Sequence, residues 1–147
     1  MTRTATAGSP QAQVEVVAGL IADSSGRVLV GRRRAGTHME GYWEFPGGKR
    51  RPGEGPRGAL VRELREELGI IVLGAEFMAE LTHRYPDRRV RLELWRVDRF
   101  DGEPHAREGQ ALKWVAPENL LALPLLPADR PLVEELLASR VKSHAQH

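Results

Sequence analysis

The stretch Gly47–Ile70, GGKRRPGEGPRGALVRELREELGI, opens as a glycine-rich loop and closes as a helix with three glutamates on one side. Pro56 suits the first helical turn, where its missing N–H has no partner to lose. Gly69 suits the position just past the last turn, where a positive φ is wanted. Between them, Leu60, Val61, Leu64 and Leu68 fall on one helical stripe. Glu63, Glu66 and Glu67 fall on the adjacent stripe, because residues three and four apart are neighbours on a helix surface. Clustered like charges repel, and Glu66 and Glu67 also sit in the last turn, where the helix dipole disfavours anions. Stability alone would prefer lysine there. A divalent cation removes both penalties, and oxygen-only ligands suit Mg2+ or Mn2+. The ordinary alternative is a solvated acidic face with Glu–Arg pairs.

Working outward, residues 14–22, VEVVAGLIA, read as a buried strand, and residues 23–26, DSSG, as a turn into a returning hairpin strand over 27–31. Trp43–Pro46 reads as a short strand entering the glycine loop. After the helix, residues 70–82 read as a strand with a bend or bulge at Gly74, and Tyr85–Asp87 as a turn. Residues 90–100 alternate apolar and charged, as a half-buried strand does, and residues 111–115 form a last strand. A short helix starts at Pro117. Asp129 can cap a final helix over 131–141, with Leu132, Val133, Leu136 and Leu137 inward.

These elements predict one α+β domain, an α/β/α sandwich, over residues 13–142, with a flexible N-terminus (1–12) and a flexible tail (143–147). A chain of 147 residues with 41% hydrophobic content can bury one real core. There is no cysteine, so there is neither a disulfide nor a thiolate metal site. No apolar run reaches the ~18–20 residues of a membrane span, and no signal peptide is evident, so a cytoplasmic location without membrane contact is expected. Of 22 basic residues only three are lysine. Arginine grips phosphate in bidentate fashion, although coding bias accounts for such a composition equally well. A nucleic-acid binder would interleave aromatics with clustered arginine. Here aromatics are 5% and the arginines are scattered, so no nucleic-acid partner is expected.

From Gly48 to Ile70 the spacing is G-x5-E-x7-R-E-U-x-E-E-x-G-U, with U aliphatic, matched at every constrained position. This is the Nudix box, and the sequence resembles the Nudix hydrolase family. The resemblance covers nearly the whole chain and is nearest to the MutT-like branch, through His38-Met39, residues 44–49, 85–88 and 102–104, Glu108-Gly109-Gln110, and PLLPADRP at 124–131. It implies the Nudix fold, a mixed sheet between helices with the box as loop–helix–loop. It also implies a Mg2+- or Mn2+-dependent nucleoside triphosphate pyrophosphohydrolase that releases the monophosphate and pyrophosphate by attack at the β-phosphorus. An intact box argues against a non-catalytic nucleotide sensor.

Carried over position by position, the resemblance implies metal ligands at the Gly47 carbonyl and at Glu63, Glu66, Glu67 and Glu108. Arg62 would orient the glutamates, with Glu54 and Glu44 supporting them from behind. Arg33 and Lys49 would meet the phosphates, and Asp129, His38, Phe45 and Tyr85 the base. Glu63 is the first choice for general base and Glu108 the second. Arg32 and Arg34 are expected to be solvated strand-end residues, and His83 and His105 to lie on the surface. Where the MutT pattern has asparagine, this chain has Asp129, which when ionised can only accept hydrogen bonds. The expected substrate is 8-oxo-dGTP, in nucleotide-pool sanitation and mutation avoidance. CTP or 5-methyl-dCTP, or another nucleoside diphosphate derivative, is the alternative. The chain is expected to act as a monomer or homodimer.

Overall fold

The computed structural model describes residues 12–145, and their side chains over residues 13–139. The N-terminal expectation for residues 1–11 lies outside these. In chain order the elements are β1 (Ala12–Ile21), β2 (Val28–Arg32), β3 (Trp43–Glu44), β4 (Gly47–Lys49), α1 (Pro56–Leu68), β5 (Ile71–Arg84), β6 (Arg88–Asp101), β7 (Leu112–Val115), a 3-10 turn (Pro117–Ala122) and α2 (Arg130–Ala145). The strands form a four-stranded sheet in the order β4-β1-β6-β5 and a three-stranded sheet in the order β3-β2-β7. The larger sheet is mixed, because β1 runs parallel to β6 while its other pairings are antiparallel. The expected α+β architecture stands.

Alternation along β1 divides the core between the two faces of the sheet. Val17 and Ile21 join Ala59, Leu60, Leu64 and Leu68 of α1, together with Ile70 and Val97. Ala18 and Leu20 join Leu92, Leu94, Phe45 and Leu120, together with Leu132 and Val133 of α2. Each fully buried leucine contributes about 1.5–3 kcal/mol, so α1 is clamped by its apolar stripe and its glutamates are left at the margin. The helix starts at Pro56 and ends on Gly69 at φ 74°, as the two punctuating residues predict.

Three expectations are corrected. The turn at residues 23–26 does not close a hairpin. Both edges of β1 are taken, by β4 and by β6, so β2 pairs instead with β3 and β7 and touches the end of β1 through one bridge, Ala22 to Val28. The glycine loop contains a strand, since Gly47–Lys49 pairs with Val16–Ala18. The last helix runs to Ala145 rather than 141, because no glycine or proline interrupts residues 142–145, and it therefore overlaps the expected flexible tail. Residues 146–147 lie outside the described part. The bulge in β5 occurs where Gly74 predicts it, with a second register shift between Phe77 and Ala79.

Candidate active site

β4 is the saddle of the site. It is the edge strand of the larger sheet, with α1 on one side and an apolar cleft on the other. Gly47 is there because a side chain would run into the backbone of β1, and Gly48 because a side chain would displace the Glu63 carboxylate. A Cβ on Gly47 would stand 2.0 Å from the Val17 carbonyl oxygen, and one on Gly48 would stand 2.2 Å from a carboxylate oxygen of Glu63. Gly48 is thus the floor on which Glu63 lies, and the Gly47 N–H donates to Glu67 Oε2 at 3.2 Å.

Arg62 ties the acidic stripe together. It binds Glu54 through Nε at 2.6 Å and Nη2 at 2.9 Å, approaches Glu66 at 3.2 Å and Glu63 at 3.4 Å, and donates to the Lys49 carbonyl at 3.0 Å. The Arg62 hydrogen bond holds Glu54 well below the usual carboxylate range, at about 2. The i,i+4 pair with Glu66 is therefore real, but it is one part of a larger clamp.

The other carboxylates move the opposite way. Burial, then the charge of Glu44, with smaller contributions from Glu108 and Glu63, push Glu67 up to about 8 against the hydrogen bond from Gly47. Glu63 is raised by burial and by Glu66 and Glu108, although Arg62 opposes the shift. Glu44 is raised by burial, with Arg33 3.2 Å away opposing. Among the described residues no three acidic or histidine side chains close into a ready-made cation cage. The donor set nonetheless fits Mg2+ or Mn2+. Its oxygens are hard and its carboxylates mutually unfavourable without a cation, and such ions are commonly held by one or two carboxylates, with water and phosphate completing the shell.

Glu108 is exposed, on the loop between β6 and β7. That loop is stapled to the C-terminal turn of α1, whose last carbonyls need partners. His105 N–H donates to Leu68 O at 3.1 Å and Arg107 N–H to Glu67 O at 3.1 Å. The Glu108 peptide itself is held from both sides. Its N–H donates to Gln110 Oε1 at 3.2 Å, and its carbonyl accepts from Arg34 Nη1 at 3.0 Å. Arg34 is thus engaged rather than merely solvated, and Arg32 reaches the Gly41 carbonyl at 3.3 Å. Gln110, 8% exposed, is a buried polar residue to which the sequence motifs assign no role. A polar residue two positions beyond a predicted ligand was the available signal.

On the other face a cleft of about 240 Å3 is lined by Val16, Ala18, Phe45, Val90, Leu92 and Ala128, with polar groups at its rim. All four residues expected at the base, Asp129, His38, Phe45 and Tyr85, line it, as do Arg33, Glu44 and Lys49. Arg33 also lines a second, adjoining cleft with Glu67, Glu108 and Gln110, so it stands where the two meet. Arg33 Nε donates to the His38 carbonyl, and His38 lies edge-on to Tyr85 at 5.5 Å between ring centroids. His83, expected to be an ordinary surface residue, is half-buried and packs edge-on to Tyr85 at 4.6 Å. Arg88, also without an assigned role, lines the cleft with a buried Nε that has no hydrogen-bond partner.

Asp129 precedes α2 at the capping position, yet its carboxylate reaches across the cleft to accept from the Phe45 N–H at 2.8 Å. It is 4% exposed, and burial, reinforced by Glu44, pushes it up to about 8. At neutral pH the group is therefore largely a neutral carboxylic acid with one O–H to donate.

The family model of the NUDIX domain matches residues 17–135. The chain is 46% identical over 127 residues to a CTP pyrophosphohydrolase of Escherichia coli K12, covering 86% of this chain and 93% of that one. It is 37% identical over 124 residues to the 8-oxo-dGTP diphosphatase of the same organism, covering 84% and 96%. Among solved structures, the E. coli ORF135 protein superposes with a TM-score of 0.78 at 45% identity, covering 88% of this chain and 92% of that one. A MutT structure from work on the Aliivibrio salmonicida and Vibrio cholerae proteins gives 0.75 at 34% identity, covering 86% and 98%. With the box glutamates gathered beside β4 and this agreement over most of its length, the chain belongs to the Nudix hydrolase family.

Proposed function

We propose that this protein is a metal-dependent nucleoside triphosphate pyrophosphohydrolase, with 8-oxo-dGTP as its substrate. The observation that carries the reaction class is the pairing of an acidic helix and an apolar cleft across β4, with Arg33 shared between them. Glu63, Glu66, Glu67, Glu108 and the Gly47 carbonyl are the groups that would hold Mg2+ or Mn2+. Bound there, the ion would polarise phosphate oxygens and lower the pKa of water.

The chain's own residues do the rest. Lys49 and Arg33 offset the triphosphate charge and keep the chain of phosphates running along β4. Glu63, made more basic by burial over Gly48, takes the proton of the attacking water, and Glu108 is the alternative base. Water adds to the β-phosphorus, the bridge to the α-phosphorus breaks, and monophosphate and pyrophosphate leave. Arg62, anchored by Glu54, keeps the glutamates from swinging into solvent.

One observation favours a second reading, CTP or 5-methyl-dCTP, and another leaves it open. The cytosine-named relative has the higher identity of the two E. coli proteins, and Asp129 replaces the asparagine of the MutT pattern. A neutral Asp129 can donate to a ring nitrogen or a carbonyl and accept from a neighbouring N–H, which fits the Watson–Crick edge of either base. Side-by-side kcat/KM values for 8-oxo-dGTP, dGTP, CTP and 5-methyl-dCTP with Mg2+ decide. An 8-oxo-dGTP value no higher than that for dGTP overturns the sanitation reading, and turnover of none of the four overturns the reaction class.

A further inference from the structure

The loop over residues 102–110 carries one predicted ligand, Glu108, and borders another, Glu67, yet it is joined to α1 by few groups. Backbone donors from His105 and Arg107 cover the Leu68 and Glu67 carbonyls. The remaining links are side chains: Arg107 Nη1 donates to the Arg65 carbonyl at 3.4 Å, and Gln110 reaches Glu67. Gln110 is buried, and the two ends of its carboxamide face different partners. Oε1 accepts from the Glu108 N–H at 3.2 Å, while Nε2 lies 3.5 Å from both the Glu67 carbonyl and Glu67 Oε1. The two Nε2 contacts are at the long end of the hydrogen-bonding range, and the NH2 group has a donor for each, one toward the backbone and one toward the carboxylate of the same residue.

Few side chains of this size can both accept and donate in these two directions. A glutamate in place of Gln110 could accept from Glu108 N–H but could give nothing to Glu67, and a lysine could give but not accept. The far side of the same peptide is closed by Arg34, which donates to the Glu108 carbonyl at 3.0 Å. The Glu108 peptide is therefore held at N–H by a side chain of its own loop and at C=O by Arg34 from another segment, and the first of these side chains also touches Glu67.

We infer that Gln110 is a positioning residue that latches the Glu108 loop to α1 and sets Glu67 and Glu108 at a fixed separation, with Arg34 as the outer catch. The inference rests on the functional reading above, because the separation matters only if both carboxylates serve one metal–phosphate site. A merely structural glutamine would affect stability alone. A latch affects how well the two carboxylates act together. Groups that orient metal ligands typically change affinity or activity by about 10–100-fold when lost.

Gln110→Met keeps the buried volume and removes both polar ends. Mn2+ binding without nucleotide, measured by electron paramagnetic resonance, is expected to weaken by about tenfold or more. kcat on 8-oxo-dGTP and CTP is expected to fall by a similar factor, with nucleotide KM within about twofold. Amide hydrogen exchange over residues 103–110 is expected to speed up. Gln110→Glu keeps the acceptor and should leave the Glu108 amide protected. Arg34→Ala, an exposed change that does not threaten folding, should weaken Mn2+ binding in the same direction by about 2–10-fold, the value of one hydrogen bond. If wild type binds Mn2+ and turns over while folded Gln110→Met and Arg34→Ala match it, the latch is wrong. If wild type neither binds Mn2+ nor turns over, the functional reading is wrong instead.

Discussion

The two sides of β4 hold carboxyl groups in the same electrostatic condition for different reasons. Glu67 and Asp129 are both pushed up to about 8, and in both burial is the largest cause. Around Glu67 the neighbours are Glu44, Glu108 and Glu63, so the group is in want of positive charge. Around Asp129 the walls are Phe45, Tyr85 and Ala128, and the direct hydrogen-bond donor is the Phe45 N–H. An approaching cation would lower the first group and make it an anionic ligand. Glu44 also faces the second group, but Arg33 opposes it and the walls are apolar, so the neutral form with its O–H is the useful one. The difference shows that a raised carboxyl pKa is not by itself a role: the role follows from what else faces the group.

The largest expected effect comes from removing the anionic side of this contrast. Glu67→Gln keeps shape and can still accept from the Gly47 N–H, but it withdraws a charged ligand. kcat/KM should fall by about two to three powers of ten, since metal assistance is worth several kcal/mol and each 1.36 kcal/mol is tenfold. Mn2+ binding should weaken in parallel, while the melting temperature without metal should not fall, because a crowded, buried acid has been removed. Activity and Mn2+ affinity equal to wild type would take Glu67 out of the site.

Asp129→Asn probes the neutral side and should act on selection more than on chemistry. The amide still accepts from Phe45 N–H, so the cleft should keep its shape. It offers N–H2 where the acid offers O–H, and its donor is fixed rather than dependent on pH. The ratio of kcat/KM for 8-oxo-dGTP over CTP should change by about 5–100-fold, as expected when a buried hydrogen bond to the base is made or lost. Turnover on the better substrate should stay within about tenfold of wild type. An unchanged ratio would leave Asp129 as a structural bridge between Phe45 and α2.

The same contrast explains what could be read from the sequence. The acidic side was legible because its ligands lie on one short helix, where fixed spacing is fixed geometry: Pro56, Gly69 and the glutamate stripe all stand as expected. The cleft was less so, because its walls come from β1, β3, β6 and the segment before α2, and no local periodicity links Phe45 to Asp129 across 84 positions. Asp129 was placed by resemblance, but local rules suggested a helix cap and could not show the Phe45 bond. The failed hairpin has the same origin. DSSG does turn the chain, yet the fate of β2 depended on two distant strands, β4 and β6, having taken both edges of β1. The importance of Gln110 and Arg34 was not legible because it lies in long-range contacts: Arg34 reaches the Glu108 carbonyl across 74 positions, and Gln110 reaches Glu67 across 43.

The smallest effect is on stability, and it separates the two groups by their response to a cation. In the folded protein Asp129 keeps its proton up to about 8, whereas its unperturbed value is 3.8. Between those values the folded state binds the extra proton, so stability must fall as pH rises through the window and level off above about 8. Glu67 behaves likewise from 4.5 to about 8. Without metal, melting temperature should therefore decline between about pH 5 and 8, with both groups contributing. Asp129→Asn should flatten that decline, costing stability or leaving it unchanged near pH 5 and gaining it near pH 9. Arg33 and Glu44 face the same carboxyl and remain in the variant, so they do not cancel from the comparison by being lost. Adding Mg2+ should flatten the Glu67 share, because a ligated carboxylate gives up its proton at lower pH, and should leave the Asp129 share in place. Thermal melts of wild type and Asp129→Asn across this range, with and without Mg2+, make the test. Glu44 faces both carboxyls, so a decline abolished by Mg2+ alone would mean that they titrate as one coupled set through it rather than separately.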